Sequence, residues 1–138
     1  MGQLLLFNIQ NPEKQTAIRL TCMKLGLRWR EIPPEQQGKS IETLLAGTEG
    51  EETDSDLQAA DTFTDEMLLM DGLIQSDFHS LLDNLRLNGQ SVRLKAVVTD
   101  HNRKWSALRL HRELRAEEEA MNRWKQQNAA RKHHKKNN

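Results

Sequence analysis

Polar side chains that could do chemistry stand at the ends of apolar runs in this sequence. Asn8 follows Leu4-Leu5-Leu6-Phe7, Asp71 and Gly72 follow Met67-Leu68-Leu69-Met70, and Thr99, Asn102 and Trp105 come after Val97-Val98. If those runs are strands of one open parallel sheet, their carboxyl ends converge, and ligands of such sheets bind at that edge. Amides near Thr99 and Asn102, opening a helix, could also face an anion. Asn8, Asp71, Thr99, Asn102 and Trp105 are therefore the candidate ligand-binding set. A plainer reading uses the same residue types without a ligand: Asn8 and Asp71 form turns, Asn102 caps the last helix and Trp105 packs on the sheet.

A second candidate lies at the C-terminal end. No acid follows Glu119, whereas Arg123, Lys125, Arg131, Lys132, Lys135 and Lys136 are basic and Trp124 lies among them. Such a segment can follow a phosphate backbone by releasing counterions and stack a base on the indole, which makes these seven residues the candidate nucleic-acid contacts. It could equally meet an acidic protein, or the chain's own acidic stretch from Glu49 to Glu66 within a Debye length of about 10 Å. A solvated charged tail with no fixed partner is the bland alternative.

Other chemistry lacks its parts. In Gly38-Lys39-Ser40, a phosphate-loop reading would need glycine where Pro33 stands, and Pro34 follows it, so these residues read better as a helix start. His79, His101, His111 and the pair His133-His134 have no recognised metal-ligand spacing. Cys22 has no neighbouring histidine and reads as a buried helical cysteine. The sequence thus points to no catalytic constellation, no cofactor and no metal site, and an enzyme ranks behind a binding module.

The elements that would position these residues follow from periodicity. Leu4 to Ile9 and Met67 to Met70 suit strands buried on both faces, while Leu27 to Ile32 alternates as a strand nearer an edge does. Val92 to Val98 is a fourth strand. Pro12 to Leu25 carries apolar residues at helical steps and stops at Gly26; a short helix spans Ser40 to Ala46. Ser76 should cap a helix that ends before Asn88-Gly89, and a long charged helix includes Trp105, Leu108, Leu114 and Met121. Leu5 on Leu68, Ile18 on Leu81 and Gly26 on Gly89 share one spacing, which suggests an internal repeat.

These elements predict an α/β fold: two βαβα halves forming one mainly parallel four-stranded sheet with helices on its faces, with a ferredoxin-like α+β layout as the alternative. The divisions are an N-terminal half over 1–47, an acidic linker over 48–65, a C-terminal half over 66–122 and a basic tail over 123–138. A chain of 138 residues with 36% hydrophobic content has material for one core. Its zero net charge, from 20 basic and 20 acidic side chains, cancels an acidic linker against a basic tail. No apolar run approaches the roughly 20 residues of a membrane span, and the Gly2 context, with Leu6 four residues on, is no myristoylation signal. With a single cysteine, the expected setting is the reducing cytoplasm.

The stretch from Met67 to Glu117, above all Leu94-Lys95-Ala96-Val97-Val98-Thr99 followed by Asn102 and Trp105, resembles a bacterial domain-of-unknown-function family, numbered 3783. Leu6-Phe7-Asn8-Ile9, Glu31-Ile32-Pro33 and Leu44-Leu45-Ala46-Gly47 are similar to the N-terminal region that often accompanies that domain. Where many members carry proline after the threonine, this chain has Asp100. The resemblance implies a fold and a bacterial, cytoplasmic origin, and it brings no activity. The expected function is a noncatalytic binding or protein-interaction module; the alternative is weak, nonspecific nucleic-acid association through the basic tail.

Overall fold

The computed structural model describes residues 2–47 and 62–136, with side chains through residue 129. Strand β1 (Gln3–Phe7) leads into helix α1 (Pro12–Leu25), strand β2 (Arg28–Ile32), a single 3-10 turn at Pro34–Gln36, and helix α2 (Ile41–Ala46). The order then recurs as β3 (Met67–Asp71), α3 (Gln75–Leu87), β4 (Leu94–Val97) and α4 (Ala107–Lys136). Local chemistry sets several of these limits. Asn11 accepts the amides of Glu13 and Lys14 ahead of Pro12, and Gly26 ends α1 in the left-handed region at φ 71°. Ser40 caps α2 by accepting the Thr43 amide. At α3 the expected cap is wrong: the helix opens one residue before Ser76, and its N-cap position is Ile74, with no side-chain bond.

Among the described residues the strands form one open sheet in the order β2-β1-β3-β4. The pairs β1–β2 and β3–β4 are parallel. The central pair β1–β3 is antiparallel, with Leu5 opposite Leu69 and Phe7 opposite Met67. The sheet is therefore mixed, which corrects the mainly parallel arrangement. An apolar run buried on both faces specifies a central strand and leaves the direction of its neighbour open. The ferredoxin-like alternative fails too, because β1 and β2 are neighbours and neither βαβ unit is split by another strand.

The pleat sends alternate side chains to two layers. Leu4, Leu6, Leu68 and Met70 pack under α1 and α3 with Ile18, Cys22, Leu81 and Leu85. Leu5, Phe7, Met67 and Leu69 pack on the other face with Ile41 and Leu44 of α2 and Ala107, Leu108 and Leu110 of α4.

The halves also meet through a reciprocal backbone exchange. Ile41 donates to the Trp105 carbonyl and Ala107 to that of Lys39, while Glu42 donates to Arg103 and Leu108 to Gln37. Ser40 and Ser106 face one another at the centre of this exchange. The spacing between matching elements is not constant, since α1 and β2 are joined by residues 26–27 but α3 and β4 by residues 88–93. No helix among the described residues is long and apolar enough to cross a membrane.

Candidate functional site

The antiparallel centre of the sheet divides the expected ligand set. Asn8 follows Phe7, which pairs with Met67 at the start of β3, while Asp71 ends β3 opposite Gln3. Four strand steps of about 3.3 Å, or roughly 13 Å, separate those two ends. Asp71, Thr99, Asn102 and Trp105 lie at one end of the sheet and Asn8 lies at the other. The five do not form one pocket: Thr99, Asn102 and Trp105 line a common cavity, and Asn8 stands apart from it.

At the first end the side chains serve the loop itself. The Asn102 Oδ1 accepts the Thr99 amide at 2.8 Å, its Nδ2 donates to the Val97 carbonyl at 3.1 Å, and its own amide donates to Thr99 Oγ1 at 3.1 Å. Asn102 thus closes the turn after β4 through its amide oxygen, its amide nitrogen and its backbone N–H. It does not cap α4, a role that Ser106 takes by accepting the Arg109 amide. Asp71 accepts from Arg103 at 3.3 Å. The Trp105 ring lies under the Arg109 guanidinium at 4.2 Å and meets the edge of His101 at 5.1 Å. Beside it, between β4 and α4, a cavity of about 350 Å³ is lined by Lys95, Thr99, His101, Trp105, Glu113 and Glu117, among others.

At the other end stands a network that sequence spacing did not reveal. Asn8 is the one non-glycine among the described residues with positive φ, 59°. From that position its Nδ2 donates to the carbonyls of Phe63 at 2.9 Å and Asp65 at 3.0 Å. Gln37, fully buried, accepts the Phe63 amide at 2.9 Å and donates to its carbonyl at 3.2 Å. Phe63 itself is buried and stacks on His111 with ring centroids 4.1 Å apart. Residues 63–65, expected in the linker, thus belong to the packed body; residues 48–61 of that stretch lie outside the described residues.

Asp65 is 2.9 Å from His111 Nε2 and 3.3 Å from Arg93, and Arg93 and Arg115 each reach Glu118 at 2.6 Å. The His111 hydrogen bond, helped by the charges of Arg93 and Arg115 against some desolvation, holds the Asp65 carboxyl below its ordinary value. The hydrogen bond from Arg93 does the same for Glu118. These contacts fasten α4 to the body just before it leaves. Nothing in the pattern of the sequence joins Asp65 to His111, since they meet only when α4 is laid along the sheet.

Residues 66–121 match a family model described as Domain of unknown function (DUF3783). The matched region spans β3, α3, β4 and α4 as far as Met121, and it includes Lys95-Ala96, Thr99, Asn102 and Trp105. No curated protein and no solved structure matches the chain. The DUF3783 region thus holds the Asn102 turn, the cavity beside Trp105, and His111, Arg115 and Glu118. Gln37, Asn8 and Phe63, which brace it, come from outside.

Among the candidate nucleic-acid contacts, Arg123, Trp124 and Lys125 are exposed on α4; Arg131, Lys132, Lys135 and Lys136 lie on the same helix, with side chains outside the described residues. Cys22 is buried, and desolvation raises its thiol to about 11, far from a nucleophile's range. Among the described residues no group of three or more His, Cys, Asp and Glu side chains could hold a metal ion.

Proposed function

We propose that the chain is a noncatalytic interaction module working through the part of α4 that lies past Glu118. One observation carries this reading: residues 119–127 of a single uninterrupted helix are all exposed, with Met121 at 52% and Trp124 at 59% of their full accessibility. Helices take most of their stability from burying an apolar face, and this segment buries none. Methionine, tryptophan and arginine are also the side chains enriched where proteins meet. The folded body presents this helix, and the Asp65–His111 and Arg93–Glu118 contacts set its direction.

The test is a photo-crosslinking amino acid at position 124 of the full chain in its native cell. Protein adducts that disappear when the crosslinker is moved to buried position 81 are expected. Absence of any adduct overturns the reading.

A second reading, nonspecific nucleic-acid association, is favoured by the lack of any acid after Glu119 and by Trp124 standing between Arg123 and Lys125. It requires retention on RNA or DNA that weakens with salt and is lost when residues after Asn122 are removed. No retention in low salt disposes of it.

The proposed setting is the cytoplasm of a bacterium, supported by the family resemblance and the single buried thiol. We also read the two halves as copies of one βαβα unit. The reciprocal hydrogen bonds around Ser40 and Ser106 support that origin.

A further inference from the structure

We infer that the cavity between β4 and α4 binds a guanidinium group, held by Glu113 and Glu117. This site lies where α4 packs on the body and is separate from the helix past Glu118.

The other half of the chain shows what such a notch holds. Leu5 lies opposite Leu69 at the centre of the sheet, and on their outer sides stand Arg30 of β2 and Ala96 of β4. Ser40 likewise faces Ser106. One helical turn on from each serine, Leu44 corresponds to Leu110, and one turn further Gly47 corresponds to Glu113. Arg30, Leu44 and Gly47 are thus the positional counterparts of Ala96, Leu110 and Glu113. In the first half these residues enclose a guanidinium: the Arg30 Nη1 donates to the Leu44 carbonyl at 3.1 Å and lies 2.9 Å from where a Cβ at Gly47 would stand. In the second half Ala96, Leu110 and Glu113 line the cavity of about 350 Å³ beside Trp105. Ala96 brings only a methyl group, so the place that Arg30 fills from within is open to a group from outside.

The acceptors differ in the way an external cation requires. Helix α2 ends at Ala46, which frees the Leu44 carbonyl in its last turn for Arg30. Helix α4 runs on, so its carbonyls are taken up within the helix, and the carboxylates of Glu113 and Glu117 stand one turn apart on the cavity wall instead. Neither glutamate has a hydrogen-bond or ion-pair partner among the described residues. A pair of carboxylates suits a guanidinium, whose planar fork donates several N–H groups at once.

The neighbouring bases do not neutralise this pair. Lys95 alternates with Ala96, so its side chain goes to the opposite face of the sheet, where its Nζ donates to the Val92 carbonyl at 3.1 Å. Arg115 is held by Glu118 and Asp65, Arg109 lies on the Trp105 ring and Arg112 is exposed; none of the three lines the cavity. His101, on the cavity wall, meets the edge of Trp105.

The experiment is an NMR titration of the isotopically labelled full chain, read at the amides of Ala96, Thr99, Glu113 and Glu117. The probes are ethylguanidinium, arginine blocked at both ends, and citrulline blocked in the same way, which is the uncharged isostere. Parallel titrations use Glu113→Gln, Glu117→Gln and Ala96→Arg. Both glutamates are exposed, so folding of the glutamine variants, checked by circular dichroism, should be unchanged.

The expected result is saturable shifts at those amides with a guanidinium probe and none with citrulline. The Kd should rise about tenfold or more in each glutamine variant, because a hydrogen bond to a charged group is lost. Ala96→Arg should abolish binding, since its own guanidinium takes the place, as Arg30 does in the first half; if that variant does not fold, the glutamine variants decide. Shifts with blocked arginine assign the group to an arginine side chain of a protein, and shifts with ethylguanidinium alone assign it to a free small compound. No shift with either by about 10 mM overturns the inference. So does equal binding of citrulline, or glutamine variants that bind as the parent does. Each of these failures leaves the reading of α4 past Glu118 standing, because the crosslinker at position 124 tests that surface separately.

Discussion

Replacing Gln37 with alanine tests whether the segment before β3 is part of the core or merely attached to it. The side chain is fully buried and makes both its hydrogen bonds to Phe63, 2.9 Å from its amide and 3.2 Å from its carbonyl. After truncation the two backbone groups fare differently. The carbonyl keeps the Asn8 Nδ2 at 2.9 Å, whereas the amide loses the Gln37 Oε1 to which it donates. A buried N–H left without a partner costs about 1–3 kcal/mol, and the vacated side-chain volume adds about 1 kcal/mol more, for a total of about 2–4 kcal/mol. For a domain of this size about 3 kcal/mol lowers Tm by roughly 10 °C. Urea unfolding followed by circular dichroism measures it, with the midpoint falling and the slope m unchanged. A loss below about 0.5 kcal/mol would refute the reasoning, because it would mean that residues 63–65 add nothing to the cooperative unit.

Asn8→Ala and Asn8→Gly should differ. Both lose the bonds to Phe63 and Asp65, but alanine also bears the strain of φ 59°, so it should be less stable than glycine by about 1 kcal/mol in the same urea assay; equal stabilities would remove the strain argument. Asp65 has a folded pKa held below its unfolded value, so the stability it adds is complete above the unfolded carboxyl range of about 3.9 and is lost as pH falls through the folded value. Asp65→Asn should therefore flatten the acid limb of the urea midpoint plotted against pH, and an unaltered slope would show that the His111 contact has no energetic weight. Cys22, buried and with its thiol raised to about 11, should react with a thiol reagent at pH 8 only as fast as the protein opens; a native rate near that of a free thiol would contradict its burial on the inner face of α1.

Local chemistry was enough to write down the order of elements. Asn11-Pro12 and Gly26 bound α1, Ser40 and Gly47 bound α2, and the two fully apolar runs are the two central strands, because each of these signals acts within a few residues of itself. The polar ends of those runs were legible as turn formers for the same reason, and Asn102 and Asp71 do shape the chain there. Relations between distant segments were not legible. Whether β3 runs with or against β1 depends on how a long connection returns to the sheet, and its antiparallel course moved Asn8 away from Asp71, Thr99, Asn102 and Trp105.

Phe63 carried too little context in an acidic stretch to be recognised as core, and only the packed partners Gln37, Phe7 and His111 give it a place. The sequence by itself determined the strands, the helices and the basic far end of α4. The tertiary structure alone decided which ends of those elements meet, since hydrophobic periodicity specifies a buried face and carries no information about the direction or identity of what covers it.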